Sequence, residues 1–167
     1  MTKNSHCSYC GTPYPPDLAW PRRCAECGQT TYVNPVPVAV LLLPVDGGLL
    51  VVRRDVEPRR GQLALPGGFI DLGESWQEAA ARELREEAGI EQDPAEITLF
   101  DARSAPDGTL LVFGLAPPTT SAVLPPSRPT DETTGWELVT GPVSLAFPLH
   151  TTVVASYFDR VQTKVDS

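Results

Sequence analysis

The run GFIDLGESWQEAAARELREEAGI, residues 68 to 90, carries five glutamates and one aspartate against two arginines. A helix this acidic repels itself, so the direction of its carboxylates decides what the segment is for. Ser75, followed three residues on by Glu78, makes a capping-box pattern, and Gly89 is a C-cap signal. Together they predict a helix from about Ser75 to Ala88. On a wheel of 100° per residue with Glu83 at zero, Glu86 falls at about −60° and Glu87 at about +40°. Ala80, Ala81, Leu84 and Ala88 fall between about +60° and +160° and mark the core face. Small Ala79 lies beside the acids, while Glu78 and Arg85 fall on the far, solvated side.

That geometry leaves two readings open. A solvated face laced with ion pairs would alternate glutamates with basic residues at i, i+4 spacing. Glu83 and Glu87 are instead like charges at that spacing, costing about 0.2–0.5 kcal/mol, and only Arg82, four before Glu86, offers relief. The second reading is a divalent-cation site. Three carboxylates on one arc supply hard oxygen ligands suited to Mg2+ or Mn2+. Gly67 and Gly68, just before the helix, would let a backbone carbonyl approach the same ion.

Outward from the helix, PVAVLLLPVDGGLLVVRR (residues 37 to 54) reads as two β-rich runs around the hairpin signal Asp46-Gly47-Gly48. The first run is apolar without alternation, as for a central strand buried on both faces. QLALPGGFI reads as a short strand that breaks at Gly67-Gly68. EITLFDARSA and GTLLVFGLA predict two more strands around the turn Pro106-Asp107-Gly108. A proline-rich stretch from 117 to 134 has the length of a functional or disordered loop. GWELV reads as a final strand, and TTVVASYFDRVQ as a helix with Val153, Val154, Tyr157 and Val161 on one side. Strands before, beside and between two helices predict an α/β fold, a mixed sheet with helices packed on it.

The first 32 residues are a different kind of sequence. Cys7 and Cys10, then Cys24 and Cys27, form two Cys-x-x-Cys pairs, each followed by glycine. Two disulfides would use the same residues, but the N-terminus lacks the apolar core of a signal peptide. A reduced, cytoplasmic chain is therefore expected, and four thiolates around structural Zn2+ fit better. His6 sits beside Cys7 as a surface histidine. So short a segment cannot hold itself together by apolar burial, and the metal would supply its folding free energy. The expected domains are a zinc ribbon over 1–32 and a second domain over 33–167.

With 41% apolar and 20% charged residues the chain is expected to be soluble and globular, and no apolar run approaches a membrane span. A net charge of −8 argues against a general binder of phosphate backbones. The ribbon segment itself carries only Lys3, Arg22 and Arg23 against Asp17 and Glu26. Nucleic acid is thus not the expected partner, although an acidic protein still binds polyanions through divalent cations.

At this point the acidic stretch resembles a known signature, that of the Nudix hydrolases. Gly68 is followed after five residues by Glu74, and seven residues later by Arg82-Glu83; Leu84, the pair Glu86-Glu87, Gly89 and Ile90 complete it. The resemblance implies a Nudix fold, a mixed β-sheet sandwiched between helices. It also implies that Glu83, Glu86 and Glu87 hold Mg2+ with a carbonyl from Gly67, oriented by Glu74 and Arg82. The reaction implied is hydrolysis of a pyrophosphate bond in a nucleoside diphosphate linked to another moiety. Glu132, four before Trp136, stands where relatives commonly carry an acid before an aromatic. It is the loop candidate for the general base, beside a helix glutamate.

A four-cysteine ribbon ahead of such a domain is similar to two groups. NADH pyrophosphatases carry a Ser-Gln-Pro-Trp-Pro-Phe-Pro element that this chain lacks. The other, shorter group acts on FAD or ADP-ribose, and VSLAFPLHTTVVASYF (143–158) is similar to its final segment. A small-molecule nucleotide, FAD or ADP-ribose, is the expected substrate, bound through loop 117–135 and segment 145–150. Trp136, Phe147 and Tyr157 are candidates for stacking on a base, or else core aromatics. A homodimer is a further expectation. An NADH/NAD pyrophosphatase-like hydrolase and a non-catalytic Nudix/zinc-ribbon nucleotide sensor are the alternatives; the sensor reading is disfavoured because no box glutamate is missing.

Overall fold

The computed structural model describes residues 3–165. The chain divides into two compact units, Met1–Pro35 and Val36–Ser167.

In the first unit, each Cys-x-x-Cys pair turns back on itself in the same way. Gly11 and Gly28 donate their amides to the carbonyls of Cys7 (2.9 Å) and Cys24 (3.0 Å). Both glycines adopt φ above +70°, which side chains disfavour. A two-stranded hairpin, β1 (Arg22–Arg23) with β2 (Thr30–Thr31), carries the second pair. Tyr14 and Leu18 pack on the buried Cys7 and Cys24 as a very small core.

The second unit contains two four-stranded sheets where the sequence suggested one. The mixed sheet runs β7 (Gly67–Phe69), β3 (Val36–Leu42), β9 (Thr109–Leu115), β8 (Thr98–Ser104). In it β3 and β9 are parallel and the other pairs antiparallel. The second sheet is antiparallel: β10 (Thr133–Val139), β5 (Gly48–Arg54) and β4 (Pro44–Val45), with β6 (Leu63–Ala64) also on β5. The turn at Asp46-Gly47 joins β4 to β5 with positive φ at both residues, as a tight hairpin requires. The apolar run therefore splits at Leu43 between the two sheets.

Alternate residues of β3 and β5 explain why neither strand alternates in sequence. Ala39, Leu41, Leu50 and Val52 face one apolar cluster, and Val40, Leu42, Leu49 and Val51 face another. Helix α1 (Trp76–Ala88) covers the first cluster with Ala80 and Leu84. Helix α2 (Pro148–Val165) covers the second with Val153, Val154 and Tyr157. Val161 lies at its exposed margin. Strands buried on both faces need apolar side chains at every position.

The caps of α1 form as the sequence indicated. The Ser75 hydroxyl accepts from the Glu78 amide, Glu78 returns the bond to the Ser75 amide, and Gly89 closes the end in a left-handed conformation. The strand before the helix breaks at Pro66 rather than at the glycine pair, which lies inside β7. The proline-rich stretch is an ordered connection. The Thr119 amide donates to Pro44, and the Asp46 carboxylate accepts from both the amide and hydroxyl of Ser121. Among the described residues no helix is long and apolar enough to cross a membrane.

Candidate functional site

Helix α1, strand β7, the end of β5 and the turn before β10 converge on an open pocket of about 410 Å3. Arg54, Gly67, Phe69, Arg82, Glu83, Glu86, Glu87 and Glu132 are among the residues lining it. A larger groove, of about 570 Å3, runs beside β8 and α2, but Leu99, Phe100, Tyr157 and Val161 make it apolar, and among the described residues Arg160 is its sole charge. The chemistry-bearing residues are in the smaller pocket.

Within it the carboxylates differ in their surroundings. Glu83 is 9% exposed and Glu87 3%, whereas the Glu86 side chain is half exposed. Burial pushes the Glu83 carboxyl up, against the opposing pull of Arg82. Burial also pushes Glu87 up, to about 8, with the charges of Glu83 and Glu132 adding to it and the Gly67 amide opposing. Two hidden acids that resist ionising call for added positive charge.

Arg82 supplies part of that charge. Its guanidinium reaches Glu74 at 2.8 Å, Glu83 at 2.7 Å and Glu86 at 3.1 Å, and donates to the Phe69 carbonyl at 2.9 Å. The bonds to Arg82 hold the Glu74 carboxyl below the usual range. Arg82 thus ties the glycine loop to three carboxylates. Gly67 meets Glu87 through its amide, which donates to Glu87 Oε2 at 3.0 Å. A side chain at Gly68 would collide with the Glu83 carboxylate, and one at Gly67 with the backbone of β3. Glycine is needed at 67 because the backbone of β3 leaves no room for a Cβ, and at 68 the Glu83 carboxylate lies directly on the strand.

Two parts of the pocket lie far from the helix in sequence. Glu132 lines it from the turn before β10, where the sequence placed a loop acid. Arg54 was missed. It follows a run of apolar strand residues, and only the pairing of Arg54 with Thr133 across β5 and β10 carries it to the acids. Its Nε donates to the Pro58 carbonyl at 3.0 Å, and its guanidinium lies 5.2 Å from the centre of the Phe147 ring.

The aromatic candidates prove to be core residues, one of the two readings their sequence allowed. Tyr157, on α2, is buried against Phe100 and Phe158. Trp136 and Phe147 pack on the cluster under α1. None of the three lines the pocket; Phe69, 63% exposed, does. No residue of segment 145–150 lines the pocket, although Phe147 and His150 lie close to Arg54, which does.

In the other unit the four cysteine sulfurs all lie within 4.8 Å of one another. Cys7 and Cys27 sulfurs are 3.7 Å apart, and Cys10 and Cys24 3.6 Å. A tetrahedron with metal–sulfur arms of ~2.3 Å has edges of ~3.8 Å. A disulfide needs about 2.05 Å, and all four cysteines are free. Burial pushes the Cys7 thiol up, but the backbone of Cys10 and Tyr9 and the Tyr14 hydroxyl outweigh it and hold it down at about 6. The Gln29 backbone draws Cys27 down, yet burial and the other three sulfurs push it up to about 12. The quartet is shaped for one ion.

Residues 33–150 match the model of the NUDIX domain. The chain belongs to the NUDIX domain family. An ADP-ribose pyrophosphatase of Methanocaldococcus jannaschii is 36% identical over 76 residues, 46% of this chain and 44% of that protein. The NAD-capped RNA hydrolase NudC of Salmonella heidelberg is 33% identical over 85 residues, 50% of this chain and 33% of that protein. The chain thus spans less than half the length of these curated relatives. A crystal structure of a NUDIX hydrolase from Nitrosomonas europaea superposes with a TM-score of 0.72 at 24% identity, over 93% of this chain and 90% of that one. That likeness concerns the NUDIX fold alone.

Proposed function

We propose that the pocket hydrolyses the pyrophosphate bond of a nucleoside diphosphate joined to another group, with Mg2+ or Mn2+ bound among its carboxylates. The observation that carries this is two buried acids, Glu83 and Glu87, facing Arg54 in one open pocket. Glu83, Glu86 and Glu87, with the Gly67 carbonyl, would hold the cation. The donor set fits a hard divalent ion: all oxygen, more acids than arginines, and acids reluctant to ionise alone. When bound, such an ion neutralises the diphosphate and acidifies an attacking water. Glu74 and Arg82 keep the carboxylates in place. Arg54 binds the diphosphate, and Glu132 takes the proton of the water as it attacks in line. The four cysteines hold one structural Zn2+.

ADP-ribose or FAD is the proposed substrate. Cleavage would release AMP with ribose 5-phosphate or FMN. The resemblance to an ADP-ribose pyrophosphatase supports the first of these. Resemblance to an NAD-capped RNA hydrolase favours a second reading, in which an NAD-type dinucleotide is cut at the same bond. Product chromatography after incubation with Mg2+ and ADP-ribose, FAD, NADH, coenzyme A or diadenosine polyphosphates separates them. AMP from ADP-ribose or FAD is the expected product. Dominant release of inorganic phosphate from a nucleoside triphosphate, with no dinucleotide or ADP-sugar cut, would refute the reading.

A further inference from the structure

Strand β10 holds a β-bulge whose consequence reaches the pocket. Its register against β5 slips between Thr133 and Trp136: two residues, Thr134 and Gly135, oppose Arg53 alone. Trp136 and Leu138 face the cluster under α1, so regular alternation would send Thr134 the same way and Thr133 outward. The extra residue reverses this. Thr133 is 1% exposed, and its hydroxyl donates to the Glu87 carbonyl at 2.6 Å. That carbonyl is one of the four at the end of α1 that the helix itself leaves unpaired. Bulges re-aim side chains beside active sites in this way.

The bulge is pinned at both ends. Ser127 Oγ donates to the Trp136 carbonyl and accepts from the Trp136 amide, both at 2.7 Å. A side chain at Gly135 would run into that hydroxyl. On the other side, Thr130 Oγ1 accepts from the amides of Glu132 (3.3 Å) and Thr133 (3.2 Å). The Asp55 amide, next to Arg54, donates to the Glu132 carbonyl at 2.7 Å. Every backbone polar group of Glu132 is therefore fixed, and the next residue is bonded to the helix turn that carries Glu87.

We infer that Thr133 is a positioning residue: its bond to Glu87 sets Glu132 against the buried carboxylates. This rests on the reading of Glu132 as the loop acid. A displacement of about 1 Å at a reacting group lowers turnover steeply without weakening binding. Thr133→Val, with the same shape and no hydroxyl, should lower kcat by about 10- to 100-fold at near-constant KM. Thr133→Ser should recover it.

The deciding experiment is a double-mutant cycle on the full chain with Mg2+, using ADP-ribose, FAD and NADH in parallel. In a Glu132→Gln background, Thr133→Val should cost less than about 2-fold, because the group it positions is already disabled. An equal penalty in both backgrounds would overturn the inference while leaving Glu132 as the acid. A normal kcat for Glu132→Gln would overturn the Glu132 reading and this one with it. Amide hydrogen exchange on metal-free protein reads the same device without turnover. The Glu132 and Thr133 amides should lose protection in Thr133→Val while that of Gly89 stays, and unchanged protection at 132 and 133 refutes the device. Should Thr133→Val fail to fold, Ser127→Ala at the other end of the bulge is read by the same criteria.

Discussion

The cysteine quartet and the glutamate pocket both gather side chains of metal-ligating type, yet they are built in opposite ways. The four sulfurs come from two copies of one short turn, and each turn carries its own amide bonds and glycine. They converge within 4.8 Å with little support from an apolar core. The carboxylates share one helix but do not meet: Glu83 and Glu86 turn to Arg82, and Glu87 to the Gly67 amide. Around them stands a large core that holds α1 rigidly against two sheets. A closed structural site is thus made by local turns. An open site, which must leave room for substrate, is held by the fold around it.

The largest expected effect separates the two regions outright. A structural zinc site of this type is worth ~10–16 kcal/mol to the segment that folds around it. If the quartet holds zinc, Cys24→Ser should abolish binding of the expected one equivalent per chain, checked by metal analysis, and unfold residues 3–35, read as collapse of their amide dispersion. The resonances of the NUDIX domain should persist. A native β1–β2 hairpin without metal would break the comparison.

Next in size is the pocket. Glu87→Gln keeps the side-chain volume and should cut kcat by ~10²–10³-fold. Its thermal midpoint should not fall, because a buried acid that resists ionising is not what holds the core. Near-normal turnover at saturating Mg2+ would remove Glu87 from the ligand set.

A baseline for both comes from His150, a buried group outside either cluster. It packs against Phe113 and Phe147, with no hydrogen-bond partner for Nδ1 among the described residues. Burial, helped by the charge of Arg54, lowers it from 6.5 to about 3. Between those two values the unfolded chain binds the extra proton, so stability is lost as pH falls below 6.5. The loss reaches about 2 kcal/mol at pH 5. Urea unfolding of His150→Leu should show a shallower decline between pH 7 and 5 than the parent protein; equal slopes would contradict it.

The smallest effect expected is at Arg54. Arg54→Gln should raise KM by about tenfold, or ~1.4 kcal/mol, and leave the fold intact. A change confined to kcat would instead make Arg54 a transition-state group.

Legibility followed range along the chain. The caps of α1, the acidic arc and the hairpin at Asp46-Gly47 were readable because each rests on residues within five positions of one another. The split of the apolar run at Leu43 was not readable: membership of one sheet or two depends on pairing with β9 and β10, 60 to 100 residues away. Trp136 and Phe147 were plausible stacking residues until their positions under α1 were known. Phe69, in plain view within the acidic stretch, gave no signal of its exposure.

By itself, the sequence determined the two kinds of ligand, sulfur and carboxylate, and the local geometry that presents each. It did so because knuckle turns and capped helices are stabilised by bonds between near neighbours. Only the tertiary structure decided which acids are buried, that Arg54 faces them, and that Glu132 is held beside Glu87. The last two depend on strand register, and here register depends on one extra residue in β10. A single-residue slip moves every side chain beyond it to the other face, and no local pattern records where the slip occurs.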